Sequence, residues 1–172
     1  MESTFNPILH VEDNENDVVL VQRALGAASI SHPLQIVRNG ARAIDYLLGQ
    51  TPFERREFYP LPCLILLDLD LPLVNGMEFL KWRQNHPVFQ RIPVIVLTLS
   101  QRPADVAAAY EAGANSYLAK PLTFEELVDI AKAINLYWLG HNSFATRSSG
   151  ESAACSLPGS LVRSGIPAAV SF

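Results

Sequence analysis

The stretch Cys63-Leu64-Ile65-Leu66-Leu67-Asp68-Leu69-Asp70-Leu71-Pro72 is apolar without a break as far as Leu67, is flanked by Pro62 and Pro72, and meets its first carboxylate at Asp68. A short apolar run between prolines reads as a strand buried on both faces, as in a parallel sheet covered by helices. Ligands of open parallel sheets bind at the carboxyl ends of the strands, so Asp68 is a site candidate by position alone. The competing reading is that Asp68 or Asp70 merely caps the next turn. Two further strands weigh against it. Pro7-Ile8-Leu9-His10-Val11 ends in Glu12-Asp13, and Pro93-Val94-Ile95-Val96-Leu97 ends in Thr98, which brings acids and a hydroxyl to one sheet edge.

The rest of the chain alternates strand and helix. After the strand at 7–11, Val18, Val21 and Leu25 share one face of a helix over about 16–28, with Asn14 or Asn16 as its N-cap. A strand at 34–37 and a helix carrying Ala43, Ile44, Leu47 and Leu48 follow. The 51–62 stretch is long for a connection between helix and strand and reads as a surface insertion. Past the central strand, a helix begins at Met77 and stops by Pro87, the strand at 93–98 comes next, and a helix opened by Pro103 closes at Gly113. The strand 116–119 ends at Lys120-Pro121, and a last helix, capped by Thr123 with Glu126 three residues on, runs to about Leu139. Five strand-helix units with right-handed crossovers predict a three-layer α/β/α domain around a parallel sheet. The expected organisation is one domain over 1–141 and a Ser/Ala/Gly/Pro-rich tail over 142–172 with no output domain.

Charge narrows the partners. A net charge of −4 offers no basic field for a phosphate backbone, so nucleic-acid binding is not expected. No apolar run approaches the roughly 20 residues that span a bilayer, and Met1-Glu2-Ser3-Thr4 has no leader character, which predicts a cytoplasmic protein without a membrane partner. Cys63 and Cys155 lack metal-ligand spacing and read as free thiols.

Glu12, Asp13 and Asp68 at neighbouring strand ends would repel one another unless a cation sits among them. Oxygen ligands of this kind suit Mg2+, which commonly shares its shell with phosphate. Lys120 and Thr98 add a compact cation and a hydroxyl donor, and the set describes phosphoryl transfer to an aspartate.

Val11-Glu12-Asp13-Asn14, Leu66-Leu67-Asp68-Leu69-Asp70-Leu71-Pro72 with Gly76, Val96-Leu97-Thr98, and Ala112-Gly113-Ala114 leading to Tyr117 and Lys120-Pro121 together resemble the signature of bacterial response-regulator receiver domains over roughly residues 7–139. The resemblance implies a flavodoxin-like doubly wound five-stranded parallel sheet of order 2-1-3-4-5. It also implies Asp68 as phosphoacceptor, with Mg2+ on Glu12, Asp13, Asp68 and the Asp70 backbone carbonyl. Thr98 and Lys120 would hold phosphoryl oxygens, Thr98 and Tyr117 would act as switch residues, and the Lys120–Pro121 bond would be cis. The partner implied is a sensor histidine kinase, and the chain would be no enzyme beyond self-dephosphorylation. The 51–62 insertion and the missing output domain further resemble the small regulators that partner bacterial phytochrome kinases. Three positions depart from or qualify the pattern. Leu99 stands where the family has a small residue, which suggests shielding of Asp68. His10 replaces an aliphatic residue and reads as a core histidine rather than a relay histidine, and His86 reads as a helix-terminal residue favoured by the dipole.

Two other functions compete. Asp68-Leu69-Asp70 also resembles the nucleophile motif of haloacid-dehalogenase-type phosphatases. That family places the motif on its first strand with a Thr two residues after the second Asp, where this chain has Pro72, and its acidic pair comes late. A receiver-like interaction module without phosphorylation is the second alternative. On the last helix, Leu127, Ile130, Ala131, Ile134 and Trp138 form a stripe for the sheet. Phe124, Val128, Leu136 and Leu139 are read as a second stripe on nearly the opposite side, and the expectation is a homodimer through it. The rival is the tail folding back through Leu157, Leu161, Val162 and Ile166.

Overall fold

The computed structural model describes residues 5–141. Cys155 and the 142–172 tail, with the fold-back read from its apolar residues, lie outside the described residues.

Strands β1 (Ile8–Val11), β2 (Leu34–Val37), β3 (Leu64–Leu67), β4 (Val94–Thr98) and β5 (Ser116–Ala119) form one parallel sheet in the order β2-β1-β3-β4-β5. β1, β3 and β4 lie inside it and every one of their residues is buried. Alternation sends their side chains to two helical layers. Leu9, Val11, Ile65, Leu67, Val94 and Val96 pack in one cluster with residues of α2 (Gly40–Leu48), α3 (Gly76–Gln84) and α5 (Pro103–Glu111). Ile8, Leu64, Leu66, Ile95 and Leu97 pack in the other with residues of α1 (Glu15–Ala27) and α6 (Phe124–Ile134). Each fully buried Leu or Ile contributes about 1.5–3 kcal/mol, so the central strands fix the register strongly.

Local chemistry sets the helix starts. Asn14 caps α1, Asn39 caps α2, and Asn75 with Glu78 forms a reciprocal capping box on α3. At α6 the Thr123 hydroxyl accepts from Glu126 N at 3.3 Å.

Several expectations need correction. A short helix, α4 (Pro87–Gln90), stands between α3 and β4, started by the same proline that ends the previous pattern. α6 continues as a π-helical segment over Asn135–His141, tied to the end of α1 by Asn135 Nδ2 donating to Ala28 O at 2.9 Å. Among the described residues the cis peptide is Thr51–Pro52, so Lys120–Pro121 is trans; the two forms differ by only about 0.5–1 kcal/mol before a proline, and surroundings decide between them. The second stripe on α6 is also not opposite the first. Phe124, Val128 and Leu139 are half-buried against the α1 and α6 cluster, Arg23 of α1 lies 5.2 Å over the Phe124 ring, and only Leu136 of the four is largely exposed. The helix meets α1 as well as the sheet, and that wider contact covers the first stripe and all of the second but Leu136.

The 51–62 insertion is held to α2. Arg56 donates to Tyr46 O at 2.8 Å, Leu47 O at 2.6 Å and Tyr59 O at 3.1 Å, and the buried Tyr46 hydroxyl donates to Pro60 O at 2.9 Å.

Candidate functional site

Four strands deliver the site at their carboxyl ends. Val11 of β1 leads to Glu12, Leu67 of β3 to Asp68, β4 ends on Thr98, and Ala119 of β5 leads to Lys120. The ladder carries the registration into the loops: Asp68 N donates to Val11 O at 3.1 Å, and Lys120 N to Thr98 O at 2.7 Å. Gly76 closes the β3 loop beneath. A Cβ there would meet Asp68 O at 2.3 Å and Leu69 Cα at 2.7 Å, so only glycine admits the approach.

At the centre stands Lys120. Its ammonium donates to Asp68 Oδ2 at 2.6 Å, Glu12 Oε2 at 2.7 Å and Asp17 Oδ2 at 2.7 Å, which uses all three of its protons. The other Asp68 oxygen, Oδ1, accepts from Leu69 N at 2.6 Å and Asp70 N at 3.2 Å. Asp68 is 6% exposed and Glu12 1%.

The electrostatics follow from this packing. Burial works to raise the Asp68 pKa, but the hydrogen bond and charge of Lys120 outweigh it and hold the carboxyl below its ordinary range. For Glu12 burial wins over Lys120 and the pKa is raised. Burial would lower the Lys120 pKa, and hydrogen bonds from Asp17, Asp68 and Glu12 push it up instead. His10, 1% exposed, is lowered to about 4 by burial and then by the Lys120 charge, so it is neutral near pH 7. A partner cannot reach it, and the core reading holds.

Among the described residues His10 Nδ1 is buried without a hydrogen-bond partner, whereas the fully buried Thr98 hydroxyl is close enough to Asp68 to help lower its pKa. Thr98 ends β4 beside Asp68. Tyr117 donates from its hydroxyl to Ser100 O at 3.0 Å, two residues beyond Thr98, so the two expected switch residues meet one loop. Leu99 is 67% exposed and is therefore turned to solvent rather than packed over Asp68.

The acids that meet Lys120 are Glu12, Asp17 and Asp68. Asp13 is exposed and outside the set around Lys120, Asp70 is exposed as well, and Asp17 takes a place that sequence reasoning did not give it. Among the described residues no three acidic, His or Cys side chains are arranged to share an ion, because the ammonium already sits among them. The donor chemistry nonetheless fits a hard cation. Glu12 and Asp68 at neighbouring strand ends, with the exposed Asp13 next in sequence, offer oxygen donors alone. The signal for Asp17 was faint: one helical turn beyond Asp13, it looks like any acid in a first turn.

The chain matches the response regulator receiver domain family over residues 8–132. It is 41% identical over 142 residues to response regulator Rcp1 of Synechocystis sp. (strain ATCC 27184 / PCC 6803 / Kazusa), covering 81% of this chain and 95% of that one. A solved structure of Rcp1 in its Mn2+-bound form superposes with a TM-score of 0.74 at 39% identity, over 82% of this chain and 99% of that one. The phosphorylated cyanobacterial phytochrome response regulator RcpA gives 0.76 at 34% identity, over 83% and 100%. The bacteriophytochrome response regulator RtBRR gives 0.67 at 36% identity, over 87% and 86%. A match over most of the chain, on the sheet order and strand ends described above, makes this protein a member of the response regulator receiver domain family.

Proposed function

We propose that the chain is a phosphoacceptor response regulator that takes a phosphoryl group on Asp68 from a sensor histidine kinase and signals through protein contacts. The observation that carries this reading is a buried, ionised Asp68 held at 2.6 Å by Lys120, with the fully buried Thr98 at the end of the next strand. Asp68 Oδ2 attacks phosphorus, the P–N bond of a phosphohistidine breaks, and the imidazole leaves with that electron pair and a proton from water. Leu69 N and Asp70 N keep Oδ1 fixed during the displacement, Lys120 turns from Asp68 Oδ2 to a phosphoryl oxygen, and Thr98 Oγ1 donates to another phosphoryl oxygen. Mg2+ held by Glu12, Asp13, Asp68 and the Asp70 carbonyl would supply further charge neutralisation for the phosphoryl oxygens. Movement of Thr98 draws on the loop that Tyr117 holds at Ser100, which couples Asp68 to the β5 edge. Any turnover is limited to loss of the chain's own phosphoryl group.

The phytochrome-type kinase as donor is supported by the names of Rcp1's structural kin, RcpA and RtBRR, and by the ordered 51–62 insertion. A homodimer through the α1 and α6 side is supported by Leu136 and Tyr137, 65% and 59% exposed, and by Val19 of α1, 46% exposed. Paired changes Leu136→Glu and Tyr137→Glu, at the exposed positions, should give a folded monomer in sedimentation, and a wild type already monomeric at high concentration refutes the dimer.

The test of the main reading is intact-mass analysis after incubation with acetyl phosphate and MgCl2. Wild type should gain one phosphoryl group, while Asp68→Asn, or wild type with EDTA, should gain none. Equal labelling of Asp68→Asn rejects the reading. Faster transfer from a purified phytochrome-type kinase than from an unrelated sensor kinase supports the donor, and equal rates reject it.

A further inference from the structure

We infer that Asp17 is a positioning residue of this site: it holds Lys120 from the α1 side so that the ammonium stays over Asp68 while the phosphoryl group arrives. The inference rests on the phosphoacceptor reading and adds a residue to it. A lysine side chain has four rotatable methylenes and loses up to about 1.5–2 kcal/mol of rotamer freedom when fixed, so its place must be set by what it touches. Here three oxygens set it, from the end of β1, the first turn of α1 and the end of β3. The Lys120 side chain is 10% exposed and Asp17 27%, so this contact is the one of the three nearest to water.

The three anchors differ when the chemistry begins. Asp68 Oδ2 becomes bonded to phosphorus and ceases to be a carboxylate oxygen, and Glu12 belongs to the donor set offered to a cation. Asp17 belongs to neither role. It is fixed by backbone geometry, as the third helical residue after the Asn14 cap, whose Oδ1 accepts from Asp17 N at 3.4 Å. When Lys120 exchanges Asp68 Oδ2 for a phosphoryl oxygen, Asp17 keeps the ammonium within reach, and the exchange needs a small rotation rather than a search.

The experiment is a double-mutant cycle on the full chain, reading the rate constant for phosphorylation by acetyl phosphate in MgCl2. Asp17→Ala should slow it about tenfold, and in a Lys120→Met background the same change should do nothing further. Asp17→Asn keeps an acceptor without the charge, should fall between, and carries the test if the alanine variant does not fold. Two readouts need no phosphodonor. Hydrogen exchange of the Lys120 ammonium should be faster in Asp17→Ala, and Mn2+ affinity should stay within about twofold of wild type, because Asp17 acts on the lysine and not on the ion. An unchanged rate, an equal fold-loss in both backgrounds, or a large loss of Mn2+ affinity overturns the inference. A wild type that accepts no phosphoryl group overturns the site reading as well, whereas labelled wild type with insensitive Asp17 variants overturns this inference alone.

Discussion

Two buried cations sit at opposite ends of the sheet, and their partners differ in kind. Arg83, in the last turn of α3 and 3% exposed, donates to Phe89 O at 3.2 Å, Gln90 O at 2.9 Å, Ile92 O at 2.8 Å and Gly113 O at 3.0 Å. All four are neutral carbonyls, and burial lowers the Arg83 pKa with no acid to oppose it. Lys120 is surrounded instead by three carboxylates and its pKa is raised. A planar guanidinium on fixed carbonyls ties α3, α4, β4 and the turn before β5 into one body. An ammonium among carboxylates is held as firmly, but its partners can change charge or bonding, and so it can move. One cation belongs to the fold and the other to the chemistry.

Substitution separates them. Lys120→Met should slow phosphorylation by about 100-fold, the effect of losing one charged donor to a developing phosphoryl group, measured by intact mass over time. Arg83→Met should leave the rate per folded molecule unchanged and lower stability in urea by about 4 kcal/mol, since four buried carbonyls lose their donor. A rate loss in the arginine variant would erase the distinction.

A pH series sharpens it. The Asp68 pKa is depressed in the folded state, so its contribution to stability is present above the unfolded value of about 3.9 and is lost as pH falls through the folded one. Glu12, with a raised pKa, acts in the opposite sense: its contribution is present below the unfolded value and lost as pH rises through the folded one. In Lys120→Met, Asp68 keeps the burial that raises its pKa and loses the main cause that lowers it. Urea midpoints should therefore lose less on acidification than in wild type, because the folded Asp68 no longer resists protonation, while Arg83→Met should keep the wild-type acid profile.

The smallest effect is expected at Leu99. Since it is 67% exposed, Leu99→Ala should change the phosphoryl lifetime by less than about twofold. A larger change would show that an exposed side chain still screens Asp68 from water.

The same contrast explains what the sequence revealed. β1, β3 and β4 are apolar runs buried on both faces, and each ends where polarity begins, so the strands and the positions of Glu12, Asp68 and Thr98 could be read directly. Lys120 was legible for the same reason. Asp17 and Arg83 were not, because each obeys a local rule that hides its long-range role: an acid in a first helical turn and a base in a last one are both favoured by the helix dipole. The α6 stripe failed differently. A helical wheel shows which residues share a face but not how many neighbours the helix meets, and α1 covers part of what looked free.

Arg56 gives the 51–62 segment a further property. Its guanidinium lies within 2.6–3.1 Å of carbonyls from α2 and from the segment itself, so opening the segment also uncaps α2. Opening the segment therefore also costs the hydrogen bonds at the end of α2. A protease that cleaves after arginine meets Arg55, whose side chain is 66% exposed, as a surface residue, and meets Arg56 with its guanidinium held on three carbonyls. The survival of the Arg56 bond under digestion relative to the Arg55 bond then reports how long the segment stays fastened to the end of α2.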